Sequence, residues 1–266
     1  MIKYILKRIV LIIPILLAVG IMIFTLMYFV PGDPVSIALG NSATQEEIEA
    51  IKTSKGLNDP YMVQLGRYLG NLVFHLDMGT SYKTNMPVSM ELLSRFPNTM
   101  KIALSSIVLT MLIGIPIGIR AAIKANTFED RLSMFVSLLG TALPNFWMAL
   151  LLILLFSVTL KWFPSNGDKS WKYFVLPAIS NSIGSIAMIA RQTRASMLEV
   201  IRSDYVVTAR AKGVPERKVI LGHALPNALI PIITVCGGSF GMLLGGAIIT
   251  ESVFSISGIG TYLLTG

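Results

Sequence analysis

Residues 9–30 read IVLIIPILLAVGIMIFTLMYFV, a run of 22 residues without a charged side chain. An α-helix needs about 20 apolar residues to cross the hydrocarbon core of a bilayer, where it pairs its backbone polar groups internally. The run is longer than the apolar region of a signal peptide, and Pro31-Gly32-Asp33-Pro34 follows it instead of an Ala-x-Ala cleavage site. The sequence therefore predicts that residues 1–30 form a retained N-terminal span.

Four more uncharged runs follow, at residues 102–119, 132–160, 173–190 and 224–250. The chain is 53% hydrophobic and 14% charged, whereas a soluble domain is roughly 25% charged. A soluble helical protein could not bury so much apolar surface. We therefore predict an all-α, polytopic membrane protein with five spans. It would consist of an N-terminal span (1–30), an extracytoplasmic loop with short helices (31–97) and a membrane core (98–266).

The charges between the runs predict the orientation of the chain. Residues 1–8, 120–131 and 191–223 carry formal charges of +3, +1 and +4, whereas the alternate segments carry −1, +2 and −1. Short loops rich in Lys and Arg stay in the cytoplasm, so we expect the N-terminus to be cytoplasmic. Because the basic residues cluster at membrane ends rather than on a soluble face, we expect no nucleic-acid partner.

The loop at residues 31–97 contains signals for two short helices. Thr44 and Glu47 form a capping-box pattern before a helix that Gly56 would end. Asp59 and Pro60 suit the N-cap and the first position of a second helix. The apolar residues of this second helix repeat at helical spacing, so its apolar face would lie on the membrane surface or on the spans.

The segment between the fourth and fifth runs, residues 203–227, reads SDYVVTARAKGVPERKVILGHALPN. Ser203 or Asp204 suits the N-cap of a first helix. Gly213 suits the left-handed position that ends it, and Pro215 the start of a second helix. The segment is therefore predicted to be a helix, a break and a second helix.

Small residues lie on one face of the first of these helices. Ala209 and Gly213 are four residues apart, which places them on the same side. A face without bulk would let another protein approach the backbone closely. An ordinary positive-inside loop would also be basic, but it needs no pair of capped helices, so the pattern favours a docking element.

This segment resembles the cytoplasmic signature loop of ABC importer permeases, through Thr208-Ala209-Arg210-Ala211-Lys212-Gly213 and His223-Ala224-Leu225-Pro226-Asn227. The match is closest to the peptide/nickel branch. Further similarity to that branch is spread over the chain, in YILKR (4–8), PGDP (31–34), DMGTS (77–81) with Pro87-Val88, ESVF (251–254) and GIG (258–260). Two positions depart from its pattern: Pro226 stands where the branch usually has Arg, and Ser257 where a Pro usually precedes the Gly.

The resemblance implies a type I (MetI-like) permease fold with six spans, so we expect a final span that this sequence lacks. It implies a bacterial or archaeal inner-membrane subunit that imports short peptides or nickel-type solutes by alternating access. Its partners would be a second homologous permease in a heterodimer, two ATPases that bind ATP and Mg²⁺, and an extracytoplasmic solute-binding protein. The chain itself would bind no cofactor or metal. The implied ATPase-coupling residues are Asp204, Ala209, Arg210, Ala211, Lys212, Gly213, His223, Leu225 and Pro226.

Several alternatives stay open at this stage. The loop at residues 31–97 would either receive the solute-binding protein or pack as a lid over its own spans. A membrane-embedded enzyme would need titratable groups at one depth, yet the two histidines, His75 and His223, are predicted to lie on opposite sides of the membrane. A structural membrane anchor would not need the helix–break–helix segment. The chain has no P-loop pattern, so ATP hydrolysis is expected in partner chains.

Overall fold

The computed structural model describes residues 2–32, 35–36, 44–81 and 83–265. Of the residues singled out above, Asp33, Pro34 and Gly266 lie outside the described residues, as does the side chain of Tyr4. The chain separates into two compact units, of which the second is Arg95–Thr265 and the first precedes it. Each unit has its own packing.

The first unit contains helix α1 (Ile2–Phe29), helix α2 (Gln45–Lys55) and helix α3 (Tyr61–Gly70), which continues into a π-helical turn, Asn71–His75. Aromatic contacts hold α3 on α1. The Tyr61 hydroxyl lies 2.7 Å from Thr25 Oγ1, and the Phe24 ring packs on Tyr61 and Tyr68. The apolar face of α3 therefore lies on a span, one of the two predicted positions.

Caps decide the boundaries of α2 and α3. The predicted capping box is confirmed, because Thr44 Oγ1 accepts from the Glu47 amide and the Glu47 carboxylate accepts from the Thr44 amide. Gly56 ends α2 at φ +65°. The prediction for α3 was wrong by one position: Pro60 occupies the N-cap, and Asp59 pairs instead with the Arg67 guanidinium.

The second unit carries most of the helices that could span a membrane. The helices of this part of the chain are, in order, α4 (Val88–Ile123, which starts before the boundary between the units), α5 (Phe128–Ala142), α6 (Asn145–Leu152, extended by a π-helical turn at Ile153–Thr159), α7 (Lys172–Ile201), α8 (Asp204–Ala211), α9 (Glu216–Phe254) and α10 (Ile259–Thr265).

Four helices in the described part of the chain are long and apolar enough to cross a bilayer: Ile5–Phe29, Val88–Ile123, Lys172–Ile201 and Glu216–Phe254. The third predicted span is a broken pair, Phe128–Ala142 and Asn145–Thr159, bent by 100°. Pro144 causes the break, since a residue before proline is driven out of the helical region, and Leu143 has ψ 132°. The predicted spans thus appear as four helices and one bent pair.

Helix α7 lies at the centre of the second unit and packs against α5, α6 and α9. Its contact with α4 is unusually close. A Cβ atom added at Gly118 would lie 2.5 Å from the Ala190 carbonyl oxygen, and one at Gly114 would lie 3.0 Å from the Ile186 carbonyl oxygen. The absence of side chains at these two glycines lets the backbones of α4 and α7 approach closely.

The glycines of α9 behave differently from those of α4. Gly246 approaches the Asn181 side chain of α7, whereas Gly237, Gly241 and Gly245 have no described atom within 4 Å of an added Cβ. The Asn181 side-chain amide donates to the Leu243 carbonyl at 3.3 Å, and such a hydrogen bond between helices stabilises their contact in lipid.

Candidate coupling site

The helix–break–helix predicted for residues 203–227 is present. Helix α8 ends at a turn in which Gly213 has φ +75°, a conformation that a side chain would strain. The Gly213 amide donates to the Arg210 carbonyl at 2.9 Å. Pro215 then takes the N-cap position of α9, where the amides of Lys218 and Val219 donate to its carbonyl.

Ser203 occupies the N-cap position of α8, but its side chain does not cap the helix. Its hydroxyl donates backwards to the Val200 carbonyl at 2.6 Å. Asp204 is the first residue of the helix instead. The predicted cap was therefore right in position and wrong in bonding.

An ion pair joins the two helices across the turn. The Arg210 guanidinium donates to both carboxylate oxygens of Glu216, at 3.1 and 2.7 Å. It also donates to the Ile201 carbonyl, at the end of α7, at 3.3 Å. The hydrogen bonds to Glu216 raise the pKa of Arg210, partial burial opposes them, and the charge of Glu216 adds a smaller increase. Arg210 therefore ties α7, α8 and α9 together.

Apolar side chains fix the inner side of the segment to the second unit. Val206 and Ala209 of α8 are buried in one cluster with Val219, Ile220 and Ala224 of α9. Ala209 is only 8% exposed, while Gly213 is exposed. The expected bare face shared by Ala209 and Gly213 was wrong, because the chain's own packing uses the small side chain of Ala209.

The outer side of the segment presents most of the predicted coupling residues. Arg210 and Leu225 are half-buried, and the exposed members of the set are Asp204, Ala211, Lys212, Gly213, His223 and Pro226. Sequence reasoning missed three exposed apolar residues between them: Tyr205, Val207 and Leu221 are 46%, 53% and 47% exposed. Bulky apolar residues in an otherwise basic segment were the available signal.

The start of α9 contains a π-helical turn, Val219–Ala224. Pro226 explains it, because a proline has no amide to donate to the Gly222 carbonyl and its ring would collide with that carbonyl in a regular helix. The Asn227 side-chain amide donates to the His223 carbonyl at 3.1 Å. Beyond the turn, α9 continues to Phe254.

A second ion pair lies near the same end of α7, and the sequence analysis did not identify it. The Arg194 guanidinium donates to both oxygens of Asp130, whose side chain is 3% exposed. The Asn126 amide also donates to Asp130, at 2.9 Å. This pair fixes the first turn of α5 to α7, the helix that leads into residues 203–227.

The chemistry of these groups suits contact with another protein. Among the described residues, no three His, Cys, Asp or Glu side chains converge into a metal-binding group. What the segment offers is a braced pair of short helices with an exposed basic and apolar surface.

Comparisons with known proteins agree on a transport role. The profile of the family "Binding-protein-dependent transport system inner membrane component" matches residues 114–266, and the profile of its N-terminal region matches residues 1–103. A putative peptide transport system permease protein of Brucella abortus is 41% identical, over 98% of this chain and 85% of the relative. The glutathione transport system permease protein GsiC of Salmonella paratyphi A is 40% identical, over 99% and 86%.

Two further comparisons extend these. The dipeptide transport system permease protein DppB of Alkalihalophilus pseudofirmus is 39% identical, over 99% of this chain and 87% of the relative. Among solved structures, an inward-facing form of the MetNI methionine ABC transporter shares the fold with a TM-score of 0.55, at 18% identity, over 66% of this chain and 81% of that one. The chain belongs to the family of binding-protein-dependent transport system inner membrane components, and it is a transmembrane permease subunit of an ABC importer.

Proposed function

We propose that this permease imports short peptides or chemically related small solutes. We also propose that partner ATPase subunits bind residues 203–227 and displace them when they close on ATP. The cargo follows from relatives at 39–41% identity that are named for peptide, glutathione and dipeptide transport. The docking role is supported by α8 and the start of α9, which are held together by the Arg210–Glu216 pair and expose basic and apolar residues on the side away from the rest of the second unit. Nickel-type solutes remain the less supported cargo, since none of these relatives is named for them.

The connection from the docking surface to the membrane is mechanical. Helix α9 runs from Glu216 to Phe254, so a displacement of its first turn reaches the far end of the span. Arg210 links this turn to α8 and to the end of α7. A pair of ATPases that closes on ATP would therefore move α7 and α9 as one body between two arrangements of the spans.

The remaining subunits follow from the same family. We infer two ATPases that bind ATP and Mg²⁺, a second homologous permease as heterodimer partner, and an extracytoplasmic solute-binding protein. The formal charges of the loops support a cytoplasmic N-terminus. This orientation places residues 203–227 on the side where ATP is available.

The first unit suits docking of the solute-binding protein. Helices α2 and α3 are held by a capping box, by a Gly cap and by the Asp59–Arg67 pair. Because the ends of both helices are fixed, they offer the solute-binding protein an ordered surface. Deletion of residues 44–75 is expected to abolish binding of the solute-binding protein while the ATPases still co-purify, whereas retained binding would favour the lid.

The docking proposal is tested by adding bulk to the exposed end of α8. Ala211 has a helical conformation and is exposed, so Ala211→Trp adds an indole without backbone strain. We expect recovery of the ATPases with the affinity-purified permease to fall at least tenfold, which corresponds to about 1.4 kcal/mol of binding free energy. Gly213→Trp should act in the same way.

Two controls separate bulk from other effects. Gly213→Ala imposes the same strain at φ +75° as Gly213→Trp, without the indole. Gly66→Trp adds an indole in the first unit, where an added Cβ would meet no described atom within 4 Å. Undiminished ATPase recovery with both Ala211→Trp and Gly213→Trp would reject docking at this segment.

A further inference from the structure

A groove of about 660 Å³ opens between α4 and α7, beside the loop that precedes α7. Its position differs from that of the coupling segment, which begins after the other end of α7. The wall is apolar and is formed by Val108, Leu109, Phe174, Val175, Ala178 and Ile179. The mouth is polar, with Lys101, Asp168 and Lys169. The site therefore fits a molecule with one charged end and one long apolar end.

The wall offers few hydrogen-bonding groups to a peptide. The lining has two hydroxyl groups, of which that of Ser170 is next to Lys169 in the sequence. The other, that of Ser105, already donates to the carbonyls of Lys101, at 2.6 Å, and Ile102, at 3.0 Å, in its own helix. A peptide that runs along the apolar wall would bury most of its amides without partners, at a cost of several kcal/mol for each such group. An acyl chain has no such groups, so the wall favours lipid.

The mouth carries a net positive charge. Lys101 donates to Asn98 Oδ1 at 3.1 Å, and the Asn98 amide in turn donates to Asp168 at 3.1 Å. An ammonium group has three donors, and this bond uses one of those on Lys101. Lys169 is exposed beside it. Two lysines against one aspartate, which already accepts from Asn98, suit a phosphate group.

The depth of the groove agrees with one leaflet of a bilayer. Lys101 and Leu109 are eight residues apart on α4, which is about 12 Å at 1.5 Å per residue. Half of the hydrocarbon core is about 15 Å. Trp171, at the mouth, is 70% exposed, and exposed tryptophans collect at the boundary between headgroups and hydrocarbon.

We propose that this groove binds one anionic phospholipid from the leaflet on the side of the 161–171 loop. Its phosphate lies between Lys101 and Lys169, and one acyl chain runs along Val108 and Phe174. The second acyl chain stays in the bilayer. The bound lipid fills the space between α4 and α7 at this end of the unit.

Quenching of Trp171 by brominated lipid tests the proposal. The chain has three tryptophans, and Trp147 and Trp162 are 43% and 62% exposed, so Trp147→Phe and Trp162→Phe leave Trp171 as the only reporter. The full chain is placed in nanodiscs with rising fractions of dibrominated phosphatidylglycerol or phosphatidylcholine. We expect half-maximal quenching at about fivefold less phosphatidylglycerol, as for one net basic charge near anionic lipid.

Matched variants connect the preference to the groove. Lys101→Gln with Lys169→Gln should remove the fivefold difference, whereas Lys161→Gln, in the same loop but outside the groove, should keep it. Val108→Phe fills the groove and should reduce quenching by both lipids, while Leu104→Phe, on α4 but outside the lining, should not. Equal quenching by both lipids in the unaltered groove, or a preference that survives the double substitution, overturns the proposal. So does protection of Trp171 by a millimolar tripeptide without quenching by lipid, which would indicate a peptide path.

Discussion

Glu251 is a carboxyl group with 0% exposure at the end of α9, and it connects three helices. The Thr99 hydroxyl of α4 donates to one of its oxygens at 2.5 Å, and the Thr261 amide of α10 donates to the other at 3.1 Å. The Thr99 oxygen accepts in turn from the Ile259 amide at 2.9 Å. Gly258 lies directly against this carboxyl group, where an added Cβ would overlap it.

The contact between Gly258 and Glu251 predicts a strong dependence between two substitutions. Gly258→Ala should destabilise the protein by about 1–3 kcal/mol through overpacking. In a Glu251→Ala background the same change should cost at least 1 kcal/mol less, because the obstructing group is gone. Thermal unfolding of the four variants in one detergent measures this coupling. Additive effects would contradict the packing described here.

The Arg210–Glu216 pair predicts a functional effect larger than its effect on stability. The two side chains are 36% and 57% exposed, and exposed pairs contribute only about 0.2–1 kcal/mol. Glu216→Gln should therefore leave the unfolding temperature nearly unchanged. It should lower the amount of solute transported per ATP hydrolysed in proteoliposomes, because the ion pair between α8 and the start of α9 is lost while their apolar contact remains.

Glu199→Gln offers a control for the loss of a nearby charge, since Glu199 lies in the last turn of α7 and is exposed. It should leave the transport ratio unchanged. An equal ratio for Glu216→Gln and the unaltered protein would show that the pair has no part in coupling.

At single positions, backbone preferences predicted the features of the structure that depend only on a few residues adjacent in the sequence. The left-handed Gly213, the start of α9 after Pro215 and the capping box at Thr44 follow from backbone preferences alone. The burial of Ala209 could not be predicted, because it depends on α9 folding back against α8. The Arg194–Asp130 pair was missed for the same reason, since 64 residues separate its members.

Between helices, the contact of α4 with α7 depends on small residues at every fourth position of α4. Ser106, Thr110, Gly114 and Gly118 share this spacing. The first two are 0% exposed, and the Ser106 hydroxyl donates to the Ala178 carbonyl of α7 at 3.2 Å. Such a series lets two backbones approach closely in lipid, where packing and hydrogen bonds drive association.

Alanine substitutions at two glycines should distinguish a tightly packed helix contact from a position with free space around it. Gly118→Ala places a methyl group 2.5 Å from the Ala190 carbonyl oxygen and should destabilise the protein by about 1–3 kcal/mol. Gly241→Ala meets no described atom within 4 Å, so it should be neutral or slightly stabilising through helix propensity. Thermal unfolding in detergent compares them. Similar losses for both would contradict the close contact of α4 with α7.

The uncharged runs predicted where helices lie, but not how each one crosses the unit. The run at residues 132–160 was predicted as one of the five spans. Proline explains the break between α5 and α6, whereas the angle of 100° depends on the separate packing of both helices against α7. Periodicity along one helix carries no information about such neighbours.

At the scale of the whole molecule, charge and family together determine the expected sidedness of the chain. The basic segments 1–8, 120–131 and 191–223 would share the cytoplasm, and most of the proposed docking segment, residues 203–227, lies in the most basic of them. Alternating access needs the ATPases to push on the same side as this segment. The topology and the docking role are therefore linked, and a single labelling site examines both.

That site is Lys212, which is exposed in the turn between α8 and α9. The one native cysteine, Cys236, is buried and is replaced in a Cys236→Ser background before Lys212→Cys is introduced. We predict that a membrane-impermeant maleimide labels this cysteine in inside-out vesicles but not in intact cells, and that bound ATPase reduces the labelling. Labelling from outside intact cells, or labelling from inside that the ATPase does not change, would contradict the coupling role.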